Sequence, residues 1–137
     1  MTNSDDTQQT LVLVKPDGVR RGLIGEVLRR IETKGFRIVK AKLLDVSEDI
    51  AKNHYSEHAS KPFFGELITF ITSGPVFACV IEGRHSVDAM RLMIGPTDPA
   101  KAPPGTIRGD YGEIITENLV HGSDSPESAA REIAIWF

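Results

Sequence analysis

Two short, unbroken apolar runs constrain this chain more than any other feature. Leu11-Val12-Leu13-Val14 is stopped by Pro16 and Gly18, and Val76-Phe77-Ala78-Cys79-Val80-Ile81 follows Ser73-Gly74-Pro75. Runs of this length between turn residues suit strands covered on both faces. Helical spacing surrounds them. Ile24, Val27, Leu28 and Ile31 recur at i, i+3, i+4 and i+7, and Gly35 stands where a left-handed cap would end a helix. Val39, Ala41 and Leu43 alternate with Lys40 and Lys42, the pattern of a strand with one wet face. Ser47 caps a helix running to Tyr55, and a second follows Pro62 with Leu67, Ile68 and Ile71 on its apolar side. Val87, Met90 and Ile94 share a face of a helix that starts near Ser86 and stops at Gly95. Leu119 and Val120 form a short strand. Ser125 and Pro126 then open a last helix that points Ile133, Ala134 and Phe137 inward.

This order predicts an α/β (α+β) sandwich of the ferredoxin-like βαββαβ kind. A small four-stranded antiparallel sheet is covered by helices, with an extra helical pair and a long loop before the last strand. A chain of 137 residues suits one domain, placed at 10–137 after a flexible polar tail at 1–9. The stretch 96–117 is rich in Pro and Gly and lacks periodicity; structureless loops of that length are usually functional or disordered, and the functional reading is preferred here. A net charge of −3, spread along the chain, gives no footprint for nucleic acid as main partner. Cys79 stands alone in an apolar run and is read as a buried small hydrophobe. The polar, acidic start lacks the basic and apolar parts of a secretory signal. No apolar run nears the roughly 20 residues of a membrane span, so the expectation is a cytoplasmic protein with no membrane partner.

Neither a G-x-x-x-x-G-K-[ST] loop nor a G-x-G-x-x-G turn occurs, so any phosphate must be held by other means. Lys15, Arg91 and Arg108 stand beside backbone-shaping residues and could supply charge, although each alone reads as a solvated cation. His121 lies where a strand passes into the helix after Ser125, a corner where an imidazole nitrogen could attack phosphorus. Alone, it reads more readily as a packed structural histidine. His54-Tyr55-Ser56-Glu57-His58 matches the H-x-x-E-H zinc pattern. A zinc peptidase also needs a third ligand and a larger scaffold, so the preferred reading is two ordinary histidines one helical turn apart.

Five segments then carry a family resemblance: Lys15-Pro16-Asp17-Gly18, Lys61-Pro62-Phe63-Phe64, Ile71-Thr72-Ser73-Gly74-Pro75, Pro104-Gly105-Thr106-Ile107-Arg108-Gly109-Asp110 and His121-Gly122-Ser123-Asp124-Ser125. In order and spacing the chain resembles the nucleoside diphosphate kinases from about Thr10 to Phe137. The resemblance implies reversible ping-pong transfer of a γ-phosphoryl group from a nucleoside triphosphate, typically ATP, to a nucleoside diphosphate. It makes His121 the nucleophile, phosphorylated on its pros nitrogen; the residues themselves do not choose between the two ring nitrogens. Glu132 would orient the imidazole and Ser123 would bond near both. Lys15, Tyr55, Arg91, Thr97, Arg108 and Asn118 would contact the nucleotide or support the histidine, while Phe63 and Leu67 would hold the base. Without the resemblance, Phe63 and Leu67 read as ordinary core. Mg²⁺ would bridge the nucleotide phosphates, with no protein ligand for it. A homo-oligomer is implied, a hexamer ahead of a tetramer. Glu117 departs from the pattern, standing where many members have arginine. Two other functions compete: a non-catalytic binding module, disfavoured because Lys15, Arg91, Arg108, His121 and Glu132 are all kept, and a nucleic-acid-binding domain, which lacks a basic face.

Overall fold

The computed structural model describes residues 7–137. Strands β1 (Thr7–Val14), β2 (Arg37–Asp45), β3 (Pro75–Arg84) and β4 (Val120–Gly122) form one sheet in the order β2-β3-β1-β4. Every neighbouring pair is antiparallel. The helices are α1 (Pro16–Arg20), α2 (Ile24–Lys34), α3 (Glu48–His54), α4 (Phe64–Ile71), α5 (Ser86–Ile94), α6 (Ile107–Tyr111) and α7 (Pro126–Trp136). This is the four-stranded, helix-covered ferredoxin-like arrangement that the apolar pattern predicts.

The two unbroken apolar runs are the central strands, and the pleat explains why they are unbroken. Val12 and Val14 join Cys79 and Ile81 in one core with Val27 and Ile31 of α2 and Met90 and Ile94 of α5. Leu11, Leu13 and Ala78 point the other way, toward Ala51 of α3, Ile68 and Ile71 of α4 and Trp136 of α7. With a core on each face, alternation has nothing polar to alternate with. The predicted caps are present: Ser47 Oγ accepts from Ile50 N–H, Ser125 Oγ accepts from Ser128 N–H, and Gly35 ends α2 at φ 104°.

Four local expectations need correction. First, β1 begins at Thr7, so residues 7–9 are not tail; Thr7, Gln8 and Gln9 pair with Arg84, Gly83 and Glu82. The rest of the expected tail lies outside the described residues. Second, β2 carries a register shift between Ile38 and Lys40, and a bulge there rotates the remainder of the strand. Leu43 is consequently 59% exposed, while Ile38 packs on one core and Leu44 on the other. Third, α7 buries Ala129, Glu132 and Trp136 and leaves Ala134 and Phe137 exposed. An apolar stripe places the inward face wrongly because a carboxylate sits in it. Fourth, the stretch 96–117 holds a 3₁₀ turn at Pro99–Lys101 and the one-turn helix α6.

Candidate active site

His121 is the middle residue of β4, opposite Leu13 of β1, rather than a residue of the following turn. That register points it at the α3 and α7 face. Gly122 pairs with Val12; a Cβ there would lie 2.8 Å from Ile94 Cδ1, so its lack of a side chain makes room for α5.

From α7, Glu132 Oε1 lies 2.8 Å from His121 Nε2 and also accepts the Ser123 hydroxyl at 2.8 Å. Burial works to raise the Glu132 carboxyl, but the hydrogen bonds from His121 and Ser123 outweigh it and hold its pKa below the ordinary value. An ionised carboxylate can only accept, so the imidazole proton sits on Nε2 and Nδ1 keeps its lone pair. Ser123 is itself fixed, since its N–H donates to Leu11 O and its Oγ accepts from Leu11 N–H.

His54, at the end of α3, meets His121 edge to face with ring centroids 4.7 Å apart. Trp136 donates its indole N–H to His54 Nδ1 at 3.0 Å. An indole nitrogen only donates, so His54 must carry its own proton on Nε2. Burial first, then the neighbouring His121, push its pKa down to about 3, and it stays neutral. His54, His121 and Glu132 are close enough to suggest a metal cluster. The Trp136 bond argues otherwise, because a metal at Nε2 would require the proton on Nδ1, against the indole N–H. The H-x-x-E-H pattern dissolves for a related reason: α3 stops at His54, while Glu57 and His58 lie in the 3₁₀ turn Ser56–His58, with Glu57 3.7 Å from Arg131.

The cations approach from three other elements. Lys15, directly before α1, has its ammonium 5.8 Å from the Phe70 ring centre; burial, then repulsion from Arg108, lower its pKa to about 8, with Asp17 opposing both. Arg108 of α6 is buried and donates Nε to Asn118 O, Nη1 to Gly95 O and Nη2 to Val120 O. Burial, then Arg91, bring its pKa down to about 10. Three of its five donors are thus occupied by backbone carbonyls, a framing role invisible in sequence. Arg91 of α5 is exposed and directs Nη1 to Gly122 O at 3.4 Å. Asn118 donates to Thr97 O at 3.0 Å, and its buried Oδ1 has no partner. Tyr55 meets His54 at 4.7 Å, and burial pushes its phenol up to about 12, so it remains a neutral donor. Farther out, His58 bridges Tyr55 and Phe63, and Phe63 is 43% exposed. Leu67 is half-buried on α4.

The family model described as nucleoside diphosphate kinase matches residues 8–137. The chain belongs to the nucleoside diphosphate kinase family. It is 63% identical to the nucleoside diphosphate kinase of Nocardia farcinica over 132 residues, covering 96% of this chain and 95% of that one. It is 59% identical to that of Macrococcus caseolyticus over 130 residues, 95% of this chain and 88% of that one. Among solved structures, a halophilic nucleoside diphosphate kinase from Halobacterium salinarum in complex with CDP superposes with a TM-score of 0.92 at 52% identity, covering 95% of this chain and 87% of that one. The family assignment makes the chain a phosphotransferase.

Seen as a member of this family, the chain brings His121, Glu132, Ser123 and Tyr55 into one cluster, with Lys15, Arg108 and Asn118 around it. Phe63 and Leu67 stand apart, at the rim. Sequence reasoning assigned no role to His54, Trp136 or Asp17. A tryptophan in a buried helix face, whose N–H needs an acceptor, was the signal for the first pair.

Proposed function

We propose that phosphoryl transfer runs through Nδ1 of His121, the pros nitrogen. The observation that carries this reading is the 2.8 Å contact between Glu132 Oε1 and His121 Nε2, which leaves the Nδ1 lone pair for attack. Nδ1 bonds to the γ-phosphorus of a nucleoside triphosphate, the bond to the bridging oxygen breaks, and the diphosphate departs with those electrons. A β-phosphate oxygen of a second diphosphate then attacks the phosphohistidine, and the N–P bond returns its pair to Nδ1. Glu132 stabilises the extra charge on the ring in between. Lys15, Arg91 and Arg108 neutralise phosphate charge, Tyr55 and Thr97 offer hydroxyls, and the unpartnered Oδ1 of Asn118 suits a sugar hydroxyl. Phe63, half exposed, suits stacking on any base, with Leu67 beside it, so nucleoside tolerance should be broad.

The carboxylate beside His121, Glu132, is taken up by His121 and Ser123, and the other side chains around the ring are cations, hydroxyls and imidazoles, a poor donor set for Mg²⁺, which prefers free oxygen anions. The ion therefore belongs to the substrate, arriving on the nucleotide phosphates. Among the described residues no helix is long and apolar enough to cross a membrane. A lone, buried Cys79, its thiol pushed up to about 12 by burial, is compatible with a reducing cytoplasm. We also assign a homo-oligomer, a hexamer ahead of a tetramer, for which exposed Ile114 and Ile115 in the stretch 96–117 supply apolar contact area.

The test is transfer of label from γ-labelled ATP to the protein and onward to GDP. Acid-labile, alkali-stable label that moves to GTP and is missing from His121→Ala is the expected result. Nucleotide binding without any phosphoprotein would sink the proposal.

A further inference from the structure

Leu119, between Asn118 and the strand that carries His121, has φ 75°, and the Val120 N–H bonds back to Asn118 O at 2.8 Å. A hydrogen bond from i to i+2 around a positive φ is the strained form of the γ-turn, which a bulky L-residue adopts only when its surroundings over-determine it. Here they do. Asp17 Oδ2 accepts the Leu119 N–H at 3.0 Å, and the Lys15 N–H donates to Leu119 O at 2.8 Å. Arg108 takes the flanking carbonyls of Asn118 and Val120. Gly18 permits the approach, since a Cβ there would stand 2.9 Å from Leu119 O.

We propose that Asp17 is a positioning residue for phosphoryl transfer, its carboxylate holding the strained turn at Leu119 that sets Asn118 and delivers His121. The inference rests on the phosphohistidine reading above and adds a residue that reading does not use. Within the clamp Asp17 is the side chain whose bond falls on the strained residue itself; Arg108 bonds to the residues on either side of it and to Gly95. Asp17 is 3% exposed, and its second oxygen, Oδ1, is buried without a hydrogen-bond partner. Such an oxygen is costly unless cations compensate it. The ammonium of Lys15 and the guanidinium of Arg108 both feel the Asp17 charge, which works against the burial and mutual repulsion that lower their pKa values. Arg91 from α5 faces Arg108, His54 from α3 faces Lys15 with a neutral ring, and the Glu132 carboxylate is held by His121 and Ser123, so Asp17 is the anion that acts on Lys15 and Arg108. It holds the turn and keeps the phosphate-binding cations together between nucleotides.

The test separates rate from affinity. In Asp17→Ala the rate of phosphoprotein formation at saturating ATP should fall about 100-fold, the loss expected when a reacting group is misplaced by about an ångström. ADP, measured by calorimetry, should bind within about threefold of the unmodified protein, because losing an anion beside the phosphates and loosening the hold on Lys15 and Arg108 act in opposite directions. Asp17→Asn keeps an oxygen for the Leu119 N–H and should recover part of the rate. A merely structural role would weaken binding and rate together. Should Asp17→Ala fold poorly, Asp17→Leu, of similar size and without an acceptor for the Leu119 N–H, carries the test, and a rate within twofold of the unmodified protein in either folded variant overturns the proposal. Labelling of His121 in the unmodified protein, measured first, tests the parent reading separately, so the two failures cannot be confused.

Discussion

At the scale of single residues the site is a set of groups whose protonation is set by their neighbours. Among the groups with displaced pKa values, Lys15 lies nearest neutrality. Burial and Arg108 bring its ammonium down to about 8, whereas Arg108 itself loses its proton only near 10 and Tyr55 near 12. Phosphate needs the charged ammonium, so kcat/KM, which reports the free enzyme, should fall as pH rises through about 8. A profile flat to pH 10 would remove Lys15 from phosphate binding. The sign for stability is opposite. A folded pKa below the ordinary 10.5 means that the charged form opposes folding at neutral pH, a penalty relieved as pH rises from about 8 toward 10.5. Lys15→Met should therefore raise Tm at pH 7 while abolishing transfer, a trade of stability for function that a melting curve and an activity assay read together.

Among the elements, the most informative feature is how the stretch 96–117 is tied down. Arg30 of α2 bonds Glu26, Gly105 O and Asp110 Oδ2, anchoring the stretch to the outer helix. Glu117 meets Arg20 of α1 at 3.8 Å, with both side chains about half exposed. Such a pair contributes at most about 1 kcal/mol. Glu117→Arg should leave turnover unchanged and shift Tm by no more than about 4 °C; a tenfold loss of turnover would show instead that Glu117 sets the neighbouring Asn118. Elements were legible in the sequence where one physical rule acted alone. The two-sided strands, the Ser47 and Ser125 caps and the Gly35 stop are of this kind. Legibility failed where a second requirement intervened: the bulge in β2 that exposes Leu43, and Glu132, which turns the buried face of α7 toward His121. The site divides similarly. The motifs point to His121 and its cations, but the Arg108 bonds to the carbonyls of Gly95, Asn118 and Val120 and the Asp17 bond to the distant Leu119 carry no pattern in the sequence, and only the fold brings them together.

For the whole molecule, the part of the chain that frames the proposed site also carries exposed apolar side chains. The segment that would contribute Thr97, Arg108 and Asn118 to the proposed site also carries Ile114 and Ile115, 50% and 53% exposed, held locally by a bridge between Ile114 and Glu117. Exposed apolar side chains beside a phosphate site gain most from burial against another subunit, where each is worth on the order of 1 kcal/mol or more. Burial there would also restrain the segment that frames Arg108 and the strained turn at Leu119. Assembly should therefore support catalysis without adding a residue to the site. Sedimentation velocity on the unmodified protein should give one species several subunits in size. The pair Ile114→Asp and Ile115→Asp should yield smaller species with a lower Tm. Its specific activity should fall further on dilution than that of the unmodified protein, because the freed segment no longer holds Arg108 and Asn118 in register. Equal activity from the dissociated form at every dilution would show that α2 and the clamp on Leu119 hold the site unaided, and that the subunits associate for some other reason.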